Sequence, residues 1–450
     1  MRLELEAARM RVRTEHVGTG QVQGMDHARA SGTGIAIVGH ARPVRLRLTA
    51  ERARRQHRPT IRRGSILDRR TFLGTGGAAM AASLLPGASL AAGAAGRKDA
   101  LFQRIDLVSD GLALDPREYA IRLQEAVAGG LDADNYSRGG AIERLEGTFA
   151  RLLGKPAAMF VATGTLANHI AVRRLAGEDR RVLVQAESHL YNDSGDGASN
   201  LGGLNLVPLG EGQATLRLDD VQQWVERSRG GRVRNAVGVI SIETPVRRRD
   251  HAMADFAEIE RISRYAREQG IRLHLDGARL FTLPHHSGRS LAEYTALFDT
   301  VYVSLWKHFN GASGAILAGS AGFVDGLYHE RRMFGGALPG AWPLVAPVEA
   351  YALRFQADYA QAWRAADALI GHLQADGRFK ARKLADGTSR FFLAVADASA
   401  QALPERLRAH DIILSRPHPE TGEFAIQVNP TLLRMDPAEL ARRFTGALAG

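Results

Sequence analysis

The chain has 450 residues, of which 45% are hydrophobic and 24% charged, a composition suited to a folded protein of about two to three domains. It contains no cysteine, which excludes disulfides, thiolate metal sites and iron–sulfur clusters. The formal charge of +11 is concentrated in residues 1–70, where sixteen arginines and no lysine face six acids, so it implies no nucleic-acid platform in the remainder.

Residues 1–65 lack a sustained hydrophobic period and read as a disordered or spurious arginine-rich extension. Residues 66–96 contain Asp68-Arg69-Arg70-Thr71-Phe72-Leu73-Gly74, then an uncharged stretch to Gly96 in which Ala92-Gly93-Ala94 suits a signal peptidase. Other arginine pairs occur at Arg54-Arg55 and Arg62-Arg63, but only Arg69-Arg70 leads into an apolar run. This is the pattern of a twin-arginine export signal. Its glycine and alanine content argues against a permanent membrane span. The expectation is a mature chain that starts near residue 95, is exported by the twin-arginine machinery and works in the periplasm; without a functional leader it stays in the cytoplasm.

From Ile105 the pattern is α/β. Ile142, Leu145, Phe149 and Leu152 recur at helical spacing, and Gly154-Lys155-Pro156 ends that helix. Ala157 to Val161 forms an apolar strand running into Thr163-Gly164-Thr165, and Leu166, Ile170 and Val172 begin another helix. Strand, small polar turn and helix together make a phosphate cradle. Strands follow at Arg181 to Val184 and at Val237 to Ile242, the latter ending in Glu243-Thr244-Pro245, and then a helix from about Met253 to Gln269. Buried strands separated by helices predict a mostly parallel sheet with ligands at its carboxyl edge. A helix from Val348 to Gln374, strands at Arg390 to Val395, Asp411 to Leu414 and Phe424 to Val428, and a helix from Asp436 to Leu448 predict a small α+β domain over residues 346–450. Residues 97–345 then form an N-terminal arm and a large domain.

Two strand ends carry the chemistry. Ile271, Leu273 and Leu275 alternate before Asp276, and Val301, Val303 and Leu305 alternate before Lys307. Lys307 is one of five lysines in a chain rich in arginine, so lysine is not used here as a casual surface charge. A lysine that can bond the aldehyde of pyridoxal phosphate and a carboxylate that can pair with its pyridine nitrogen are what an enzyme needs to hold that cofactor. No metal is expected.

The order of motifs over residues 105–450 resembles the threonine aldolase and β-eliminating lyase family, pyridoxal-phosphate enzymes of fold type I with the aspartate aminotransferase fold. The resemblance rests on Ile105-Asp106-Leu107 with Ser109-Asp110, Tyr136, Gly164-Thr165, Glu187-Ser188-His189, Asp276-Gly277-Ala278-Arg279, Lys307 and Gly335-Gly336. It implies a large α/β domain with a smaller C-terminal α+β domain. It also implies that Lys307 bonds the cofactor, Asp276 holds its ring nitrogen and His189 stacks on the ring, while Gly164, Thr165 and Ser304 hold the phosphate. Arg279 and Ser109 would face the substrate carboxylate, arginine because its planar fork matches that group. A homodimer or homotetramer is implied as well, with Tyr136 and Gly335-Gly336 as candidates for a shared wall.

Four positions depart from the family pattern: Val108, Val246, Pro339 and Gln427 stand where that pattern has an arginine, a histidine and two further arginines. The expected activity is therefore a lyase acting on a β-hydroxy or β-substituted amino acid, with His189 as proton acceptor and threonine a poor substrate. Trp306, Trp342, His285, His286 and Arg247 to Arg249 are expected to favour something larger, aromatic or acidic. An aminotransferase and a non-catalytic cofactor-binding relative are the alternatives.

Overall fold

The structure, a computed structural model, describes residues 101–449; the expected extension and export signal lie outside the described residues. The first strands in chain order are β1 (Ile105–Asp106), β2 (Ala157–Val161), β3 (Arg181–Gln185), β4 (Asn205–Leu209), β5 (Val237–Glu243) and β6 (Arg272–Asp276). They are followed by β7 (Thr300–Ser304), β8 (Ala315–Gly319), β9 (Phe379–Lys383), β10 (Arg390–Val395), β11 (Ile412–Ile413) and β12 (Phe424–Gln427).

Seven strands form one sheet in the order β2-β8-β7-β6-β5-β3-β4. Neighbours from β4 to β7 are parallel, whereas β8 runs antiparallel to both β7 and β2. Because β8 reverses, β2 and β7 point the same way. The carboxyl ends of β2, β3, β5, β6 and β7 therefore gather at one edge, where open α/β sheets place their ligands.

The pattern of residues explains each position in the sheet. Every residue of β5, β7 and β8 is buried, as continuous apolar runs covered on both faces should be. β4 contains Pro208, which lacks a ladder donor and is tolerated because β4 lies at the sheet edge. At Gly314, φ is +114° and a Cβ would come 2.6 Å from the Phe160 ring, so only glycine lets the chain turn into β8 there.

Helices cover the faces. In the Gly140–Leu152 helix the buried side chains include Ile142, Leu145 and Phe149, the stripe expected from their spacing. The Gly164–Ala176 helix is capped by Thr163, whose side chain accepts the Leu166 N–H at 3.2 Å. Asp255 caps the Phe256–Gln269 helix, and Gly270, at φ 72°, ends it.

Beyond Pro347 the 28-residue Val348–Ala375 helix buries Tyr351, Phe355, Tyr359, Ala362, Ala366, Leu369 and Leu373. Antiparallel strands in the order β12-β10-β9 and the Pro437–Ala449 helix complete this part. β1 pairs in parallel with β11, and the Gln427 N–H donates to the Leu107 carbonyl at 2.9 Å. These bonds hold the Ser109-Asp110 segment beside the sheet edge.

Candidate active site

Asp276, Lys307, Glu243, His189 and Arg279 line one cavity of about 290 Å³ at the carboxyl ends of β3, β5, β6 and β7. Lys307 follows β7 by three residues and its Nζ lies 3.5 Å from Ser304 Oγ and 4.5 Å from the Trp306 ring centroid. Burial, reinforced by the Arg279 charge, lowers the Lys307 amine from 10.5 to about 8. Trp306 and Lys307 also line a second cavity of about 410 Å³, shared with Ser109, Asp110, Tyr119 and Asn310. Gly111 makes this approach feasible, because a Cβ there would lie 2.3 Å from the Lys307 carbonyl oxygen.

Asp276 is buried and held by a chain of hydrogen bonds. Asn168 Nδ2 donates to Asp276 Oδ2 at 2.5 Å, and the Ala278 N–H donates to Oδ1 at 3.2 Å. With its amide nitrogen so used, Asn168 presents Oδ1 to His274 Nε2 at 2.8 Å, which makes Nε2 the protonated ring nitrogen. His274 Nδ1 then accepts from the Thr300 hydroxyl at 2.8 Å. Burial lowers His274 to about 4, so its imidazole is neutral at physiological pH.

Glu243 ends β5 beside Asp276. Its carboxyl accepts the His189 N–H at 2.6 Å and the Arg247 N–H at 2.9 Å, while burial and the Asp276 charge raise it to about 7. Gln185 clamps the same strand end, accepting the Glu243 N–H and donating to its carbonyl. His189 thus opens its short helix at a fixed position, with Nδ1 buried and without a partner among the described residues.

The phosphate-cradle expectation has a concrete geometry. The first intrahelical bond runs from the Ala167 N–H to the Thr163 carbonyl, so the N–H groups of Gly164 and Thr165 precede it and are left to a ligand. A Cβ on Gly164 would lie 1.9 Å from the Tyr302 hydroxyl, so only glycine fits there. Burial and the nearby Asp276 push the Tyr302 phenol far up, which keeps it a donor beside Ser304. Pyridoxal phosphate fits this set: an amine for its aldehyde, a buried carboxylate for its ring nitrogen and a glycine-floored helix start for its phosphate.

The substrate side differs from expectation in detail. Arg279 does not offer its whole fork, because Nε and Nη2 both donate to Asp110 at 2.8 Å. Asp110 is held well below the ordinary carboxylate range by Arg279, against the opposing effect of burial. Ser109 lines the second cavity, and Gln427 Nε2 donates to Asp110 Oδ1 at 3.2 Å. Trp306 and Arg247 line the Lys307 cavity, but His285 and His286 do not belong with them. Their short helix packs them on the long C-terminal helix, where His285 stacks on Trp363 and His286 Nε2 lies 3.1 Å from the Tyr359 hydroxyl. Trp342 does not line the Lys307 cavity either, and its backbone N–H donates to Asp134 at 2.8 Å.

Sequence reasoning missed Glu243, Asn168, His274, Asp110 and Tyr302 as members of the site. Glu243 closes a buried strand just as Asp276 does, and His274 shares a strand face with Asp276 by the period of two, so both had a signal. Asn168 had none, since only the fold brings that helix over β6.

Over residues 106–421 the chain matches the family described as beta-eliminating lyase. It is 31% identical over 198 residues to the low-specificity L-threonine aldolase of Saccharomyces cerevisiae, covering 43% of this chain and 50% of that protein. It is 26% identical over 318 residues to the low-specificity L-threonine aldolase of Escherichia coli O157:H7, covering 69% and 90%. The chain thus spans about half the length of the yeast relative and most of the bacterial one. A Listeria monocytogenes structure assigned as an L-allo-threonine aldolase superposes with a TM-score of 0.63 at 28% identity, covering 78% of this chain and 97% of that one. The threonine aldolase of Leishmania major, at 18% identity and a TM-score of 0.59, shares the fold. The chain belongs to the beta-eliminating lyase family, pyridoxal-phosphate enzymes with the aspartate aminotransferase fold.

Proposed function

We propose that this protein is a pyridoxal-phosphate lyase that cleaves a β-hydroxy or other β-substituted amino acid. The observation that carries the reading is the convergence of Lys307, Asp276, Glu243, His189 and Arg279 on one cavity. When bound, the cofactor supplies an electron sink for bond breaking at the amino-acid Cα.

The residues divide the remaining work. Lys307, lowered to about 8, offers a neutral amine to a substantial minority of molecules at neutral pH, so it can anchor the cofactor and later hold a proton at Nζ. Asp276, held by Asn168 and by the Ala278 N–H, would pair with the cofactor's ring nitrogen. The unpartnered His189 Nδ1 suits a substrate hydroxyl, and Glu243, bonded to the His189 backbone, sets where that ring stands. Arg279 keeps Nη1 for a carboxylate while Asp110 fixes its other edge. Gly164, Thr165 and Ser304 would hold the phosphate, and Ser109, from the second cavity, would face the substrate.

Threonine is proposed to be a poor substrate because Gln427 brings no charge to a carboxylate; Trp306 and Arg247 favour a larger or acidic β-substituent. Rates of aldehyde release from L-threonine, L-allo-threonine and phenylserine, set beside ammonia and keto-acid release, test the reading. Aldehyde from a bulky β-hydroxy amino acid, or a keto acid with an equal amount of ammonia from another β-substituted one, is expected; a keto acid released with neither aldehyde nor ammonia would make the protein an aminotransferase. The location we propose is the periplasm, supported by Asp68 to Gly74, and the assembly a homodimer or homotetramer, supported by half-exposed Tyr136 and Trp306. The division into a large domain to residue 345 and a small one from 346 is part of the same proposal.

A further inference from the structure

A line of polar groups joins Arg279, at the cavity wall, to the C-terminal sheet. Arg279 is bound to Asp110, Asp110 accepts from Gln427 Nε2 at 3.2 Å, and Gln427 Oε1 accepts from Arg390 Nε at 3.0 Å. Arg390 and Gln427 are direct cross-strand partners on β10 and β12, so their side chains share one face of the sheet. The line therefore contains two guanidinium groups and one buried carboxylate.

The second guanidinium is only partly neutralised. Arg390 Nη1 lies 3.3 Å from Asp250, whose side chain is 52% exposed, against 25% for Arg390, and a solvated carboxylate of that kind screens weakly. Asp250 and His251 both adopt left-handed backbone, with φ of 53° and 62°, in the turn that brings Asp250 to Arg390. Arg390 Nη2 has no partner among the described residues and is not fully buried, and the same holds for Arg279 Nη1. His251, with both ring nitrogens unpartnered among the described residues, and His308, whose Nδ1 lies 3.2 Å from the Asp110 carbonyl, pack against the cluster; burial keeps both neutral, so the positive charge belongs to the arginines.

We infer that Arg390 is the second cation of the substrate carboxylate site, acting beside Arg279 across the Asp110–Gln427 bridge. An incoming α-carboxylate then completes the neutralisation of Arg390, which the solvated Asp250 provides only in part. The ligand class is an amino acid with a free carboxylate, and the inference rests on the function proposed above. It also modifies one point of it, because the charge absent at Gln427 is supplied from the neighbouring strand.

The test is an absorbance titration of the full, cofactor-loaded chain with phenylserine and with phenylserinamide, which lacks the acid. Arg390→Met is expected to raise the dissociation constant for the acid about ten- to a hundredfold and to leave that for the amide within about twofold. Adding Gln427→Arg to that variant moves the charge back across the pair and is expected to restore most of the loss. Asp250→Asn, which removes the competing carboxylate and leaves Arg390 in place, is expected to tighten binding of the acid by a few fold and serves if Arg390→Met does not fold. An Arg390→Met protein that binds the acid like the wild type, or loses acid and amide equally, overturns the assignment of Arg390 alone. A wild type that responds to no amino acid overturns the proposed function and this inference together.

Discussion

At the scale of single residues, Lys307 and Asp276 are governed by their neighbours more than by their own chemistry. The Lys307 amine sits below its unfolded value, so the unfolded chain binds more protons between pH 8 and 10.5, and stability of the cofactor-free protein rises with pH across that window. The same shift sets reactivity. The rate at which cofactor-free protein captures pyridoxal phosphate should climb through about pH 8, as stopped-flow absorbance would show; a midpoint near 10.5 would mean that the amine is not buried as described. Borohydride reduction should then place the pyridoxyl group on Lys307 and on no other lysine.

Asp276 depends on Asn168, whose side chain joins it to His274. Asp276→Asn should keep the fold and lose about a hundredfold or more in turnover, because an amide cannot supply the charge that holds a ring nitrogen protonated. Asn168→Ala should have a smaller effect on turnover, about tenfold. It should also lower unfolding free energy by about 1–3 kcal/mol, since it strands a buried imidazole nitrogen as well as a carboxyl oxygen. Chemical denaturation and steady-state rates measured on the same samples separate the two effects.

At the scale of elements, a half-buried carboxyl ties the Gly140–Leu152 helix to β2. Glu146 accepts the Phe160 N–H at 2.6 Å, and burial raises it from 4.5 to about 7 despite the opposing pull of Arg331. The folded chain therefore holds more protons than the unfolded one between pH 4.5 and 7, and this group's contribution to stability falls as pH rises through that range. Glu146→Gln keeps an acceptor for Phe160 and removes the titration. Its stability relative to the wild type should improve by about 1–2 kcal/mol between pH 5 and pH 8, after allowance for partial exposure. A constant difference across that range would show that Glu146 titrates normally.

Elements also show what a sequence discloses. β2 and the long C-terminal helix were legible almost to the residue because their apolar periods are unbroken and their ends carry glycine, proline or a cap. β4 and β8 were not. β8 reads Ala-Ile-Leu-Ala-Gly, a short run with no alternation because both its faces are covered, and β4 is interrupted by Pro208, which only an edge position allows. The site divides in the same way. Lys307 and Asp276 stand at strand ends and could be found, whereas the pairing of Arg390 with Gln427 depends on a cross-strand register that local pattern does not encode.

At the scale of the whole molecule, the charge is unevenly shared. Residues 101–450 carry no formal net charge, so the overall +11 belongs to the first hundred positions. A body without net repulsion and with Tyr136 and Trp306 half-exposed is suited to self-association. Light scattering on protein lacking residues 1–95 should give the mass of a dimer or a tetramer. A fully active monomer would contradict the proposed assembly.

The reversed strand β8 also sets a schedule for synthesis. Within the large sheet β2 has β8 as its one hydrogen-bonded neighbour, and Val161 at its carboxyl end pairs with Ala315. At about 5–20 residues per second, a ribosome needs roughly 8 to 30 s to travel from one to the other. Through that interval an apolar strand waits with both edges bare while β3 to β7 assemble. A nascent chain stopped before residue 315 should therefore be a chaperone client and prone to aggregate, and one stopped far enough beyond residue 319 for β8 to have left the exit tunnel should lose that liability abruptly.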